Sequence, residues 1–286
     1  MELLGKKIKM NSGFGIPAAG FGTWQSEPEK TAASVCKAIE CGFRHIDTAA
    51  LYGNEAEVGD GVRLGLEKTG LSREDIFITT KVWNTDRGYG RTLRAFEKSL
   101  KALKLDYVDL YLIHWPAVAS QYECWKELNN ETWKAMEKLV DEGLVRSIGV
   151  SNFLPHHLEP LMESARIMPA VNQIEYHPGW TQKGCVEFCR RNGIVLEAWS
   201  PLANGDALRC PELIAIASRY GRSESQVVLN WVAACGIIPL SKSVTPSRIE
   251  ENAHSFDFEL SHEDIDTISA LTGVGGKCRD SDTVVY

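Results

Sequence analysis

GFRHIDTAALYGNEAEVG, residues Gly42 to Gly59, is the stretch on which the fold turns. An apolar-rich strand containing Phe43 and Ile46 runs into Asp47, a turn then presents Tyr52, and a helix begins near Asn54. A carboxylate at a strand's end and a phenol on the loop after it share one mouth if the strand belongs to a parallel sheet. Lys81 and His114 also close strand-like runs. Asp, Tyr, Lys and His form an acid/base set, so the question becomes which fold gathers four strand ends.

Working outward, short apolar runs alternate with amphipathic stretches. The runs are Gly20–Trp24, Phe43–Asp47, Ile76–Val82, Tyr107–His114, Val145–Ser151, Ala170–Glu175, Ile194–Trp199 and Ile237–Leu240. Several are nearly continuous in apolar residues, as parallel strands covered on both faces are. Between them lie helix signals. Ser26-Glu27-Pro28-Glu29 reads as a capping box before a helix that stops at Gly42. Arg91–Leu103 carries Leu93, Phe96, Leu100 and Leu103 on one face, Thr132–Glu142 stops at Gly143, and Thr181–Asn192 stops at Gly193. Ser223-Glu224-Ser225-Gln226 is a second capping box. Two helices separate the last two strands, and Ser261–Leu271 is an extra helix. This alternation predicts an α/β fold, a (β/α)8 TIM barrel forming one domain over residues 1–286. Residues 6–18, with a turn at Asn11-Ser12-Gly13, read as an N-terminal β-hairpin plugging the barrel's bottom. A doubly wound dinucleotide fold needs GxGxxG directly after its first strand. Gly59-Asp60-Gly61 falls within a helix, and Gly20-Phe21-Gly22 lacks the third glycine, so the barrel reading wins.

The composition bounds the function. Hydrophobic and charged contents of 44% and 24% are those of a globular protein, and 286 residues suffice for a full core. A net charge of -7 argues against broad nucleic-acid or anionic-membrane binding. No run approaches the roughly 20 apolar residues of a membrane span. The first residues lack the apolar core of a signal peptide, and the eight cysteines are scattered. Free thiols and a cytoplasmic location are expected. Cys185 and Cys189 lie four apart on a helix and read as thiols rather than metal ligands, because no His or second Cys pair flanks them.

In a barrel, strand C-terminal ends carry the chemistry. A phenol with a pKa near 10 is a poor acid at neutral pH, and a neighbouring ammonium favours its phenolate. Lys81 supplies that ammonium, Asp47 anchors it, Tyr52 donates a proton to a developing alkoxide, and neutral His114 orients the same oxygen. No nucleophile stands out, so the attacking species comes from a cofactor, and hydride is the natural choice. Ser151, Asn152 and Gln173 end their strands with the amide and hydroxyl groups that a carboxamide needs, and Trp199 offers a flat face for ring stacking. After the last strand, Thr245 reads as an N-cap and Pro246 as N1, so a helix N-terminus lies beside Lys242, Ser243 and Arg248. That set suits a phosphate and favours NADPH over NADH. Trp24, Trp83 and Trp115 follow three strands at the same mouth and predict an aromatic substrate pocket.

With these residues in view, the chain resembles the aldo-keto reductase superfamily. GFRHIDTAALYGNEAEVG, ITTKVWNT, DYVDLYLIHWP, IGVSNF, PAVNQIEYHP, EAWSPL and KSVTPSRIEEN occur in order across nearly the whole chain. The resemblance implies Asp47, Tyr52, Lys81 and His114 as a catalytic tetrad and Ser151, Asn152 and Gln173 as holders of the nicotinamide amide. It also implies Lys242, Ser243, Thr245 and Arg248 at the 2′-phosphate, Glu251 and Asn252 near the adenine, and Ser200 and Leu202 over the pyrophosphate. His114 implies carbonyl rather than C=C reduction. The chain departs from the pattern at Leu240-Ser241, inserted before Lys242, and at Trp199, where Tyr is commoner. Its loop after His114 and its C-terminal tail are short, as in the bacterial and protozoal members similar to 2,5-diketo-gluconate reductases and prostaglandin F synthases. Short loops imply an open pocket and loose selectivity. The expected protein is a monomeric NADPH-dependent reductase of small aldehydes and ketones. Two alternatives stay open: a non-catalytic NADPH-binding regulatory or structural protein on this fold, and a metal-dependent barrel hydrolase. The second would draw on His45, His114, His156, His157 and His177, which lack HxH spacing at one strand end.

Overall fold

A computed structural model describes residues 2–285. A hairpin of β1 (Lys7–Lys9) and β2 (Gly15–Pro17) precedes the barrel. The barrel strands are β3 (Gly20–Gly22), β4 (His45–Asp47), β5 (Phe77–Val82), β6 (Val108–Ile113), β7 (Val145–Ser151), β8 (Val171–Glu175), β9 (Val195–Trp199) and β10 (Ile238–Ser241). They pair in parallel and in chain order, and β10 closes on β3 with Leu240 opposite Gly20. Each strand begins and ends within two residues of its predicted run. The apolar pattern is dense enough to mark both faces as buried, and that burial fixes the register.

The barrel interior is graded. At its N-terminal end Met10 and Ile16 of the hairpin join Phe77, Leu110, Leu112, Val171 and Ile238 in an apolar plug. Asn11 Nδ2 donates to the Pro169 carbonyl at 2.8 Å, and the Ser12 and Ser147 hydroxyls meet at 2.8 Å, which pins the hairpin in place. Above this plug the interior turns polar, with His45, Asp47, Lys81, Gln173 and Glu197 all buried.

The surrounding helices largely follow the sequence reading, with two differences. No capping box forms at Ser26. Pro28 occupies N1 of the helix Pro28–Glu40, which makes Glu27 the N-cap with extended backbone, as a residue before proline prefers. The helix predicted from Thr132 starts a full two turns earlier and spans Trp125–Asp141. Its Thr132 hydroxyl donates to the Leu128 carbonyl within the helix and accepts the Gly88 amide, so it is no terminus. The box at Ser223 does form, with Gln226 N donating to Ser223 Oγ and Ser223 N to Gln226 Oε1. The Gly59-Asp60-Gly61 lure lies in the helix Glu55–Thr69, where a methyl on Gly61 would stand 2.6 Å from the Ala32 carbonyl. These glycines permit close helix packing. Among the described residues, no helix is long and apolar enough to cross a membrane.

Candidate active site

Strand length and turn geometry bring the four acid/base groups together. Asp47 is the last residue of β4, Tyr52 closes the single turn Ala50–Tyr52, Lys81 is next to last in β5 and His114 follows β6. Lys81 Nζ donates to Asp47 Oδ1 at 2.7 Å and Oδ2 at 2.8 Å, to the Thr48 carbonyl at 3.0 Å and to the Tyr52 hydroxyl at 3.2 Å. Lys81 is fully buried. Burial works against its charge, but Asp47 and then Tyr52 outweigh that penalty, and the Lys81 pKa ends above its ordinary value. The lysine is therefore a fixed cation beside the phenol.

His114 completes the set. Its ring stands edge-on to Tyr52, 5.7 Å between centroids, and to Trp83, 5.0 Å. Asn152 Nδ2 donates to the His114 carbonyl at 3.0 Å and fixes the backbone there. Burial, followed by the Lys81 charge, pushes the His114 pKa well below its usual 6.5. The imidazole is neutral at physiological pH.

These residues open onto a cavity of about 600 Å³ whose lining includes Asp47, Tyr52, His114, Ser151, Asn152, Gln173 and Trp199. Ser151 Oγ donates to the Gln173 carbonyl at 2.8 Å and accepts from Asn152 Nδ2 at 3.0 Å. Trp199 Nε1 donates to Asn152 Oδ1 at 2.7 Å, which holds the indole at the cavity wall. Asn152 (φ 63°) and Ser200 (φ 52°), which follow β7 and β9 at the cavity, both adopt the left-handed region. The residues suit a nicotinamide dinucleotide: a flat indole face, a bonded amide cluster beside it, and Lys242 on the same wall. Ser241 Oγ, buried and with no partner among the described residues, adds a donor at the wall that sequence reasoning missed.

The remaining predicted residues divide by location. Ser200 and Leu202 line the cavity. Despite the inserted Leu240-Ser241, both residues pair with β3 inside β10, so Lys242 emerges directly at the mouth. Its Nζ donates to the Gln25 carbonyl at 3.1 Å. Ser243, Thr245, Arg248, Glu251 and Asn252 lie outside the cavity, on the stretch leading into and along the helix Pro246–Ala253. Ser243 Oγ accepts from Thr245 N at 3.1 Å, and Thr245 and Arg248 are exposed. The Glu251 carboxylate accepts from the hydroxyls of Ser223 and Ser225, and Asn252 is buried.

The three predicted tryptophans lie close to this site. Trp24 and Trp115 line the cavity, with Trp24 47% exposed and its ring 4.8 Å from that of Tyr52, while Trp83 stands edge-on to His114 and packs with Trp199 against the cluster of Trp115, Val118 and Val284. Short as it is, the tail folds onto the rim of the cavity. Glu175 accepts the backbone N–H of Lys277 at 2.8 Å and of Arg279 at 3.3 Å, Ser281 Oγ donates to the Asn152 carbonyl at 2.7 Å, and Val284 packs with Trp115. Lys277 and Arg279 thereby join the cavity wall. Residues 275–285 show no apolar periodicity, so no sequence signal marks this role.

Two clusters bear on the metal reading. Among the described residues, one group has metal-like spacing: His156, His157 and Asp282. His157 Nδ1 accepts the Leu154 N–H at 3.1 Å, so its proton sits on Nε2, 2.8 Å from Asp282 Oδ1. That nitrogen donates to the tail and has no lone pair for a cation. None of the three residues lines the cavity. Cys185 and Cys189 are buried thiols that share the Asn172 amide, at 3.6 and 3.5 Å.

Comparison with known proteins follows the same lines. A sequence model of the aldo/keto reductase family matches residues 13–272. The chain belongs to the aldo/keto reductase family. Relatives in it include an uncharacterized oxidoreductase, YtbE, of Bacillus subtilis, 50% identical over 93% of this chain and 92% of its own. The glyoxal reductase of the same organism is 49% identical over 92% of each chain. An aldo-keto reductase of Bombyx mori, solved in complex with NADP, superposes with a TM-score of 0.87 at 34% identity, covering 97% of this chain and 96% of that one. As an aldo/keto reductase family member the chain is an oxidoreductase, and its acid/base cluster opens on the barrel's C-terminal face, where TIM-barrel enzymes carry their chemistry.

Proposed function

We propose that the protein reduces aldehydes and ketones to alcohols with NADPH, and that Tyr52 is the general acid. The observation that carries this reading is the single ammonium of Lys81, bonded to both Asp47 and the Tyr52 hydroxyl at the cavity wall. A bound nicotinamide supplies hydride to the carbonyl carbon. Tyr52 gives its proton to the carbonyl oxygen, and the fixed Lys81 cation stabilises the phenolate left behind. His114, neutral, donates a hydrogen bond to that oxygen and sets its approach. Asp47 holds Lys81 in place. Ser151, Asn152 and Gln173 take the carboxamide, Trp199 stacks on the ring, and Ser200 and Leu202 cover the pyrophosphate. Lys242, Ser243, Thr245 and Arg248 take the 2′-phosphate, and Glu251 and Asn252 flank the adenine. Exposed cations beside a helix N-terminus support the phosphorylated cofactor. The Bacillus glyoxal reductase and the NADP-bound Bombyx enzyme support the same assignment.

Trp24, Trp83 and Trp115 make the substrate wall, and the substrate is a small carbonyl compound. All eight cysteines are free, which supports a reducing, cytoplasmic setting, and the proposed state is a monomer. The test is cofactor oxidation with NADPH and NADH in parallel, across glyoxal, sugars, quinones, keto acids and aromatic aldehydes. Turnover of at least one class with NADPH is expected. Tight NADPH binding without turnover of any carbonyl would instead favour a non-catalytic NADPH-binding role.

A further inference from the structure

Behind the cavity, the Gln173 side chain joins two carboxyl groups. Its Nε2 donates to Asp47 Oδ2 at 2.9 Å and to Glu197 Oε2 at 2.9 Å. An amide nitrogen has two protons, and both are therefore committed. Asp47, bonded to Lys81 through both carboxylate oxygens, accepts from the amide nitrogen and so decides which end of the amide faces inward. One bond alone leaves the amide free to swing about that contact. Two bonds from one nitrogen to two fixed oxygens also set its plane, and hence the position of Oε1. Gln173 lines the cavity, and its Oε1 has no partner among the described residues.

We propose that Glu197, which does not line the cavity, is a positioning residue: it fixes the plane of the Gln173 amide so that Oε1 accepts the N–H of a nicotinamide carboxamide. This rests on the cofactor reading above. Glu197 is fully buried in β9. The groups that face it are Gln173 from β8, His45 and Asp47 from β4 and Lys81 from β5. Burial, then the Asp47 charge, pushes the Glu197 pKa up to about 8, so at neutral pH it carries its proton. With Oε2 accepting from Gln173, that proton belongs on Oε1, which faces His45 Nδ1 at 3.6 Å. His45 is held by Thr79 Oγ1 at 2.9 Å from its other nitrogen. A neutral acid accepts the second amide proton without setting a second negative charge beside Asp47, and this arrangement suits an anchor.

The test compares binding of NADP with its 3-acetylpyridine analogue, in which a methyl replaces the carboxamide NH2, by quenching of tryptophan fluorescence. The wild type should prefer NADP roughly tenfold, about the worth of one hydrogen bond. Glu197→Leu should bring that preference close to one by weakening NADP binding and leaving the analogue unaffected. Glu197→Gln, which keeps an acceptor at the same place, should retain the preference. Glu197→Asp, whose shorter side chain draws the acceptor away, should lose most of it and stands in if the Leu variant does not fold. An unchanged ratio in either the Leu or the Asp variant, or an equal loss for both dinucleotides, overturns the proposal. A wild-type chain that binds neither overturns the cofactor reading itself, a different and separable result.

Discussion

Lys81 Nζ lies 2.7 Å from Asp47 Oδ1, deep enough in the barrel wall that the lysine is fully buried. A buried ion pair of this kind is costly to break from one side, because the partner left behind keeps its charge without compensation. The same pair reaches the Tyr52 hydroxyl and, through Gln173, Glu197, so it joins the phenol to an amide that lines the cavity.

Lys81→Met should therefore do two things. It should abolish carbonyl reduction, and it should destabilise the fold by about 3–5 kcal/mol in urea unfolding, the range for stranding a buried charge. Adding Asp47→Asn should recover much of that stability with no recovery of turnover. Recovery of both would mean that the pair serves folding alone.

The buried titrating groups predict opposite pH effects. The pKa of His45 is lowered to about 3, by burial and then Lys81; that of His157 to about 4, by burial and then His156; and that of His114 well below 6.5. Above pH 6.5 these histidines are neutral in both folded and unfolded chains, and their contribution is fully present. Below it the unfolded chain takes up protons that the native state refuses, so stability falls from about 6.5 down through about 4. Glu197 runs the other way. Its folded pKa of about 8 lies above the ordinary 4.5, so its contribution is present below 4.5 and is lost as pH rises toward 8. Glu197→Gln should gain thermal stability over the wild type by a margin that widens from pH 5 to pH 8. A flat difference across that range would contradict the raised pKa.

Cofactor choice should depend on the basic residues at the last strand. Lys242→Ala combined with Arg248→Ala should raise the KM for NADPH at least tenfold and change that for NADH much less, because only the former carries the extra phosphate. Equal effects on the two cofactors would place these cations at a group common to both.

What the sequence made legible follows from what leaves a local signature. Strands buried on both faces read as apolar runs, and Asp47, Lys81 and His114 stand out because each breaks such a run at its end. Glu197 carries no such signal, since a Glu inside a strand shows no partner until β8 beside it brings Gln173 and the non-adjacent β4 brings His45. The tail escaped for a similar reason. Its hold on the mouth comes from backbone N–H groups and from single contacts such as Ser281 to Asn152, which carry no periodicity.

The central claim is that Tyr52 supplies the proton, and steady-state reduction of a simple aldehyde by Tyr52→Phe tests it most directly. NADPH affinity should stay within about twofold of wild type, and turnover should fall by roughly 10²–10⁴, the usual contribution of a general acid. A variant that binds NADPH and turns over at a near wild-type rate would contradict the account.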